Sequence, residues 1–309
     1  MKFKSILCCS LYFVVSSWVL GQESALKVTS KRNDDKSVDL YFEKDEPGTM
    51  TVNVKFNSIS NSNAPLSVFK AEGYSGVLMT LRPTNKDNGI DFSYNYRYIR
   101  GALLPKIDKA FVYALPFKAG TEVYAREAGF LNARYFGNTT PDDWKVYHFY
   151  TTDQQEVVAS RKGIVVEIND KHEDVILEDK EYSSSTNSIT IEHKDGSLLK
   201  YDGLSKGSIR VTVGETVFPG QVLASNVKRG NQGYFVSFML MYLKSADLDA
   251  NKGKNITNST SLYGFITPLF DVGAEAVVLT KDEKYTASLS LDLITKEMSK
   301  KEIKKYNAK

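Results

Sequence analysis

Cysteine is almost absent from this 309-residue sequence, and its two cysteines, Cys8 and Cys9, lie side by side in an N-terminal apolar run. If that run is removed as an export signal, the remaining chain has no thiol. Such a chain cannot form disulfides, bind zinc through cysteine or use a thiol nucleophile. It must be stabilised by its hydrophobic core alone, and its length predicts two domains.

A long hydrophobic segment is also missing. The apolar run extends from Ile6 to Leu20, after Lys2 and Lys4, and is shorter than the roughly 20 residues that span a bilayer. This pattern is typical of a secretory signal peptide. We therefore expect cleavage near Gly21-Gln22, a secreted or periplasmic location, and no stable membrane span in the mature chain.

A large excess of one sign of charge is absent as well: the sequence has 40 Lys and Arg against 37 Asp and Glu, a net charge of +3 at pH 7. Nucleic-acid binding needs a concentrated basic face, so no nucleic-acid partner is predicted. The sequence also lacks a Gly-x-Ser-x-Gly elbow, a Walker loop and a dinucleotide fingerprint. These motifs therefore give no support to the corresponding enzyme classes.

Aromatic residues are abundant, with 18 Tyr and 16 Phe, and short alternating apolar runs favour strands over helices. We predict a mainly β protein: a polar segment over 22–36, a β-sandwich-like domain over 37–116, a second β domain over 117–242, and a C-terminal β extension with a Lys-rich tail over 243–309. In the second domain the predicted strands are 163–168, 188–193, 198–201, 209–213, 221–224 and 233–241.

Tyr94, Tyr96 and Tyr98 alternate in the first domain and would share one face of a strand. They could form a strip that stacks on glycans, or they could belong to an ordinary half-buried strand. The sequence favours the second interpretation.

Four pieces of the second domain follow one another in a recognisable order: 157–166 (VVASRKGIVV), 187–196 (NSITIEHKDG), 200–204 (KYDGL) and 208–224 (SIRVTVGETVFPGQVLA). Together they resemble the lysostaphin-type, LytM-like zinc metalloendopeptidases, as found in exported Bacteroidetes proteins with an N-terminal β domain. The resemblance implies the duplicated hybrid motif, a compact fold of packed antiparallel sheets with a groove that holds peptidoglycan cross-bridges.

An active member of that family binds zinc through a His, an Asp and the second His of a His-x-His pair. The first His of the pair and the His of a Tyr-x-His-Leu motif act on the reacting groups. Catalytic zinc needs about three protein donors. The resemblance places these functions at positions that carry other residues here: Tyr135 or Phe136, His148, Phe235, Ser237 and Gly203.

The zinc site is therefore expected to be lost, and no cofactor is predicted. Only three histidines are present, His148, His172 and His193, and they have neither His-x-His nor His-x3-Asp spacing. His193 falls at a position that the resemblance marks as structural. The expected protein is a non-catalytic one, a pseudoenzyme of the cell envelope, which binds peptidoglycan or regulates a cell-wall hydrolase.

A vestigial groove would be its binding surface, formed by His148, Tyr201, Gly203, Phe235 and Ser237. Residues two apart on a strand face the same side, so Tyr201 is expected beside Gly203, and Phe235 beside Ser237. Phe235 favours closure of the groove by repacking, whereas Gly203 leaves space. Two alternatives stay open: a divergent zinc endopeptidase that uses His148, and a structural module of a surface assembly.

Overall fold

The computed structural model describes residues 25–63, 67–128, 143–174, 186–250, 252 and 261–308. The expected signal peptide and its cleavage site lie outside these residues, as do Tyr135 and Phe136. Strands make up 47% of the structure and helices 6%, so the predicted mainly β fold is confirmed. In the described part of the chain, no helix is both long and apolar enough to cross a membrane.

The first block consists of two three-stranded antiparallel sheets, ordered β1-β2-β5 and β4-β3-β6. Alternate residues such as Leu40, Phe42, Val52 and Val54 point inward and form one hydrophobic cluster between the sheets. The strands are β1 Leu26–Arg32, β2 Val38–Lys44, β3 Met50–Ser60, β4 Val68–Ala71, β5 Ser75–Leu81 and β6 Asp91–Arg100.

The segment before residue 37 is more ordered than its polar sequence predicts. Leu26–Arg32 forms the edge strand β1 and pairs along its length with β2. Leu26 and Val28 are buried in the core of the first block, while the other face of the strand is exposed. Two apolar side chains and a hydrogen-bonding partner strand are enough to order 26–32, although the sequence there is polar.

The three tyrosines of β6 pack against this core. The Tyr94 hydroxyl donates to the Val28 carbonyl at 3.1 Å, and the Tyr96 hydroxyl to the Leu26 carbonyl at 3.4 Å. Tyr98 also contacts the cluster. These residues are therefore a half-buried strand face, as the sequence favoured.

The second block is built on a sheet that has ten strands among the described residues. Its main path is β14-β11-β12-β13-β17-β9-β8-β21, and β16 and β18 pair with β17. The elements of this block are β7 Val112–Ala114, β8 Glu122–Glu127, β9 Val146–Thr151, β10 Glu156–Val158, β11 Gly163–Asn169, β12 Asn187–Glu192, β13 Leu198–Leu204, β14 Thr216–Val217, β15 Val222–Ser225, β16 Val227–Lys228, β17 Tyr234–Leu243, β18 Tyr263–Phe265, β19 Leu269–Asp271, β20 Ala276–Val277, β21 Glu283–Thr286, α1 Leu291–Thr295 and α2 Lys300–Tyr306.

The strand predicted over 209–213 does not form. The Arg210 amide makes a single bond to the Leu223 carbonyl, and the chain turns back at Gly214, whose amide bonds to the Val165 carbonyl. The turn comes too soon for a ladder. The strand predicted from the alternation of Ile209, Val211 and Val213 is therefore wrong.

The core of the second block extends beyond its predicted limits. Phe111, Tyr113 and Leu115 pack in it, although the predicted boundary places them in the first domain. Phe270 and Leu293 from the C-terminal part belong to the same core. Pairing explains both results, since β7 lies parallel to β19, and β21 adds to the edge of the large sheet at β8.

The C-terminal segment is held by a buried charge. The Arg161 side chain is 2% exposed and donates to Glu297 at 2.8 and 3.0 Å and to Asp195 at 2.9 Å. A buried guanidinium needs such partners to offset its desolvation. The terminal helix α2 is itself exposed, as expected for a Lys-rich tail, but the chain before it is fixed to the core.

Candidate functional site

Four adjacent strands, β8, β9, β17 and β13, carry the candidate site. Residues that face each other directly across antiparallel strands share a face of the sheet. On one face the register produces two neighbouring rows, the first of Tyr124, Tyr150 and Phe235, and the second of Arg126, His148, Ser237 and Asp202. We call this side the groove face and the opposite side, which carries Phe149 and Phe238, the core face.

His148, Phe235 and Ser237 therefore lie together on the groove face, but Tyr201 does not. It pairs with Phe238, is completely buried on the core face, and its hydroxyl accepts a 2.8 Å bond from the Ser160 amide. The expectation that Tyr201 faces the same cleft as Gly203 is wrong. The register between β12 and β13 shifts at Gly203, so simple alternation fails there.

The shift brings Gly203 beneath Phe235. Gly203 has a φ of +85°, and a Cβ atom at this position would lie 2.9 Å from Phe235 Cζ. The Phe235 ring is 6% exposed and fills the space that a side chain at 203 would need. This part of the groove is therefore closed.

Polar groups surround the Phe235 ring on its other sides. The His148 ring meets it edge to face, with centroids 5.6 Å apart, and the Tyr150 ring stacks on it at 5.9 Å. The Arg229 guanidinium carbon lies 4.9 Å from the ring centroid, a cation–π distance. Phe235 thus joins the two rows of the groove face into one packed group.

His148 is held neutral by this environment. It is 9% exposed, and burial lowers its pKa from the ordinary 6.5 to about 4, with the nearby Arg229 charge acting in the same direction. A neutral imidazole keeps one ring nitrogen that can accept a hydrogen bond or bind a metal. Its lowered pKa, however, makes it a weaker base than an ordinary histidine at neutral pH.

Asp202 and Ser237 complete the second row. The Asp202 carboxylate accepts hydrogen bonds from the Thr186 hydroxyl and, at 3.0 Å, from the Gly203 amide. Ser237 lies between Asp202 and His148 and is 8% exposed. His148 and Asp202 are two strand spacings apart, about 9–10 Å at the backbone.

These residues do not fit the catalytic zinc centre that the sequence resemblance implies. One imidazole, a neutral hydroxyl and a distant, already bonded carboxylate cannot supply three convergent donors. The described part of the chain holds no group of three or more His, Cys, Asp or Glu side chains placed to bind one metal ion. Phe235 and the Arg229 charge make the position still less suited to a cation.

The groove face is open at its other end. A cleft of about 400 Å³ lies where β8 and β9 meet the turn before β17, and is lined in part by Tyr124, Arg126, Tyr150, Gln232 and Lys284. Sequence reasoning missed this cleft. The spacing of Tyr124 and Arg126 places both on one face, but their partners on β9 and β21 follow only from the register.

No protein-family model matches the chain, and no curated protein matches it in sequence. Among solved structures it is similar to the M23 metalloprotease pseudoalterin, with 17% identity and a TM-score of 0.32 over 59% of this chain and 98% of that one. A chain of the SpoIIIAH–SpoIIQ complex shows 18% identity and a TM-score of 0.26, over 41% and 90%. A zinc-containing peptidase from Vibrio cholerae shows 15% identity and a TM-score of 0.25, over 70% of this chain and 75% of that one. Likeness at this level carries no information on the chemistry of the groove.

Proposed function

We propose that this chain is an exported, non-catalytic, peptidase-like protein of the cell envelope, which binds peptidoglycan or regulates a cell-wall hydrolase. The observation that carries the proposal is the Phe235 ring, packed over Gly203 and between His148 and Arg229. Both positions, 203 and 235, are ones where the sequence resemblance calls for imidazoles. One ring without donor atoms now occupies the space of both.

The chemistry of His148 also favours binding over hydrolysis. A general base works best when its pKa lies near the working pH. His148, whose pKa is lowered to about 4 by burial, gains little from accepting a proton at pH 7. The aromatic contacts around it further limit the space for an attacking water.

The runner-up is a divergent zinc endopeptidase, and the fact in its favour is that His148 stays neutral and could donate to a metal. A purely structural module is the third interpretation, and the closed packing at Phe235 agrees with it. Zinc content separates the first two, and binding to envelope components separates the first from the third.

The test of catalysis is an elemental analysis of the secreted chain after equilibration with zinc and gel filtration. We expect far less than one zinc per chain and no release of fragments from purified peptidoglycan. A matched control is the triple variant His148→Asp, Phe235→His, Ser237→His, which restores the two ligand positions at 148 and 237, adds an imidazole beside them at 235, and should retain more zinc than the wild type. Near-equimolar zinc in the wild type, with lysis that a chelator abolishes, would overturn the proposal.

The test of binding is co-sedimentation of the same chain with purified peptidoglycan, together with the effect of the chain on cell-wall hydrolase activity. Sedimentation, or a change in hydrolase rate, supports the proposal. A chain that does neither is best explained as a structural module.

A further inference from the structure

The open cleft of the groove face contains an arginine in an unusual setting. The Arg126 guanidinium carbon lies 5.1 Å from the centroid of the Tyr124 ring and 5.3 Å from that of Tyr150. Tyr124 and Tyr150 face each other across β8 and β9, so the cation is held between two rings of one sheet row. Stacking of this kind fixes the orientation of a guanidinium before any ligand arrives.

The hydrogen-bonding capacity of Arg126 is largely unused. A guanidinium has five N–H donors. Arg126 Nη1 donates to Gln232 Oε1 at 3.4 Å, which is long for such a bond. Its Nε has no hydrogen-bond partner among the described residues, although it forms a long ion pair with Asp282, whose Oδ1 is 3.5 Å away, and the side chain as a whole is 42% exposed. An acceptor that enters the cleft would replace water at the exposed donors and could bond to the buried Nε.

The charges around the cleft select the kind of acceptor. Lys284 faces Tyr124 from β21 and adds a second cation, while Glu122 lines the cleft and Asp282 lies near Arg126. Two cations and two carboxylates leave no net charge, so the cleft has no excess positive charge to offer a doubly charged phosphate. A carboxylate matches the planar guanidinium fork and can accept two parallel bonds from it.

The size and lining of the cleft favour a peptide as the bearer of that carboxylate. About 400 Å³ is within the range of small-ligand sites. The two tyrosine rings offer apolar surface to a side chain, and the amides of Asn231 and Gln232 offer partners to a peptide backbone. We infer that this cleft binds a peptide carboxylate, which Arg126 receives between Tyr124 and Tyr150. The inference rests on the proposed function, since it names the chemistry of the ligand.

The test is a calorimetric titration of the secreted chain with two probes, acetyl-Ala-Ala-Ala with a free carboxylate and the same peptide as its C-terminal amide. We expect the acid to bind about tenfold more tightly than the amide or better, and inorganic phosphate to bind more weakly than the acid. Arg126→Gln should remove the difference between acid and amide. Arg126→Lys should restore part of it, because lysine keeps the charge but loses the fork.

Arg229→Gln is the matched control, because Arg229 also stacks on an aromatic ring but does not line the cleft. This variant should keep the preference for the acid. Equal affinities for acid and amide, an unchanged preference in Arg126→Gln, or no binding of either peptide at millimolar concentration would each overturn the inference. If the chain still sediments with peptidoglycan or alters hydrolase rate in those cases, the proposed function stands and only the ligand chemistry is wrong.

Discussion

The two faces of the large sheet carry aromatic rings on the same strands and use them in different ways. On the core face, Phe238 meets Phe149 and Phe270 edge to face, with centroids 6.0 and 5.2 Å apart. On the groove face, Phe235 and Tyr150 contact His148 and the guanidinium of Arg229 or Arg126. Rings packed only against other rings form a dry core, whereas rings that also pack against cations hold polar groups in place.

We expect the largest effect from two alanine substitutions on β17, one on each face of the sheet. Phe238→Ala should lower the free energy of unfolding by about 3–5 kcal/mol, because a closed core cannot refill the cavity. Phe235→Ala should cost about 1.5–3 kcal/mol, the value of burying the ring, since neighbours such as Arg229 can move into the space. Urea unfolding of both variants gives the comparison.

Equal midpoints for the two variants, with unchanged m-values, would show that the groove face is packed like the core. A Phe235→Ala variant as stable as the wild type would show that the ring is not part of the packing at all. In that case the contact between Phe235 and Gly203 would contribute nothing to stability.

Period-two alternation accounts for most of what could be predicted of the fold and the site. It correctly placed strands around Gly163–Asn169 and Tyr234–Leu243, and it put Phe235 and Ser237 on one face. It failed at Tyr201, because the register shift at Gly203 breaks the alternation, and no local signal marks that shift. The prediction that His148 and Gly203 share a groove came from the family resemblance and not from periodicity.

The remaining contacts depend on pairing between strands far apart in sequence, and they could not be predicted from the sequence. Arg126 lies beside Tyr150 only because β8 joins β9 in a particular register, and Lys284 joins them from β21, 158 residues after Arg126 and 134 after Tyr150. Likewise β1 is stabilised by its partner strand, although its own composition is polar. Such contacts depend on the order of strands in the sheet, which local patterns do not encode.

A second prediction concerns pH, because His148 is the titratable member of the groove-face pair with Phe235. Its folded-state pKa of about 4 lies below the ordinary 6.5, so the unfolded chain binds the proton more readily between these values. Its contribution to stability is therefore full above pH 6.5 and is lost as the pH falls towards 4. Roughly 3 kcal/mol should depend on it.

The measurement is the pH dependence of urea unfolding for the wild type and His148→Gln. The variant should show a shallower loss of stability between pH 6.5 and 4. His193 is buried as well, and burial lowers its pKa, so it contributes the same trend to both proteins and cancels in the comparison. Parallel curves would mean that His148 is not held neutral by its surroundings.

The smallest effect concerns the contact between Gly203 and Phe235, and a double-mutant cycle measures it. Gly203→Ala adds a Cβ atom 2.9 Å from Phe235 Cζ and also places alanine at a φ of +85°. The backbone part costs about 1–2 kcal/mol whether or not the ring is present. The steric part disappears in the Phe235→Ala background, so the two changes should be coupled by about 1 kcal/mol.

Gly214→Ala separates the two parts, since Gly214 has a φ of +91° but a Cβ atom there would meet no heavy atom within 4 Å. This control should lower the free energy of unfolding only by the cost of the backbone strain, and it should show no coupling to Phe235→Ala. If Gly203→Ala behaves like Gly214→Ala in both backgrounds, the ring does not press on position 203. The groove would then have room for a side chain there, and Phe235 would not close it.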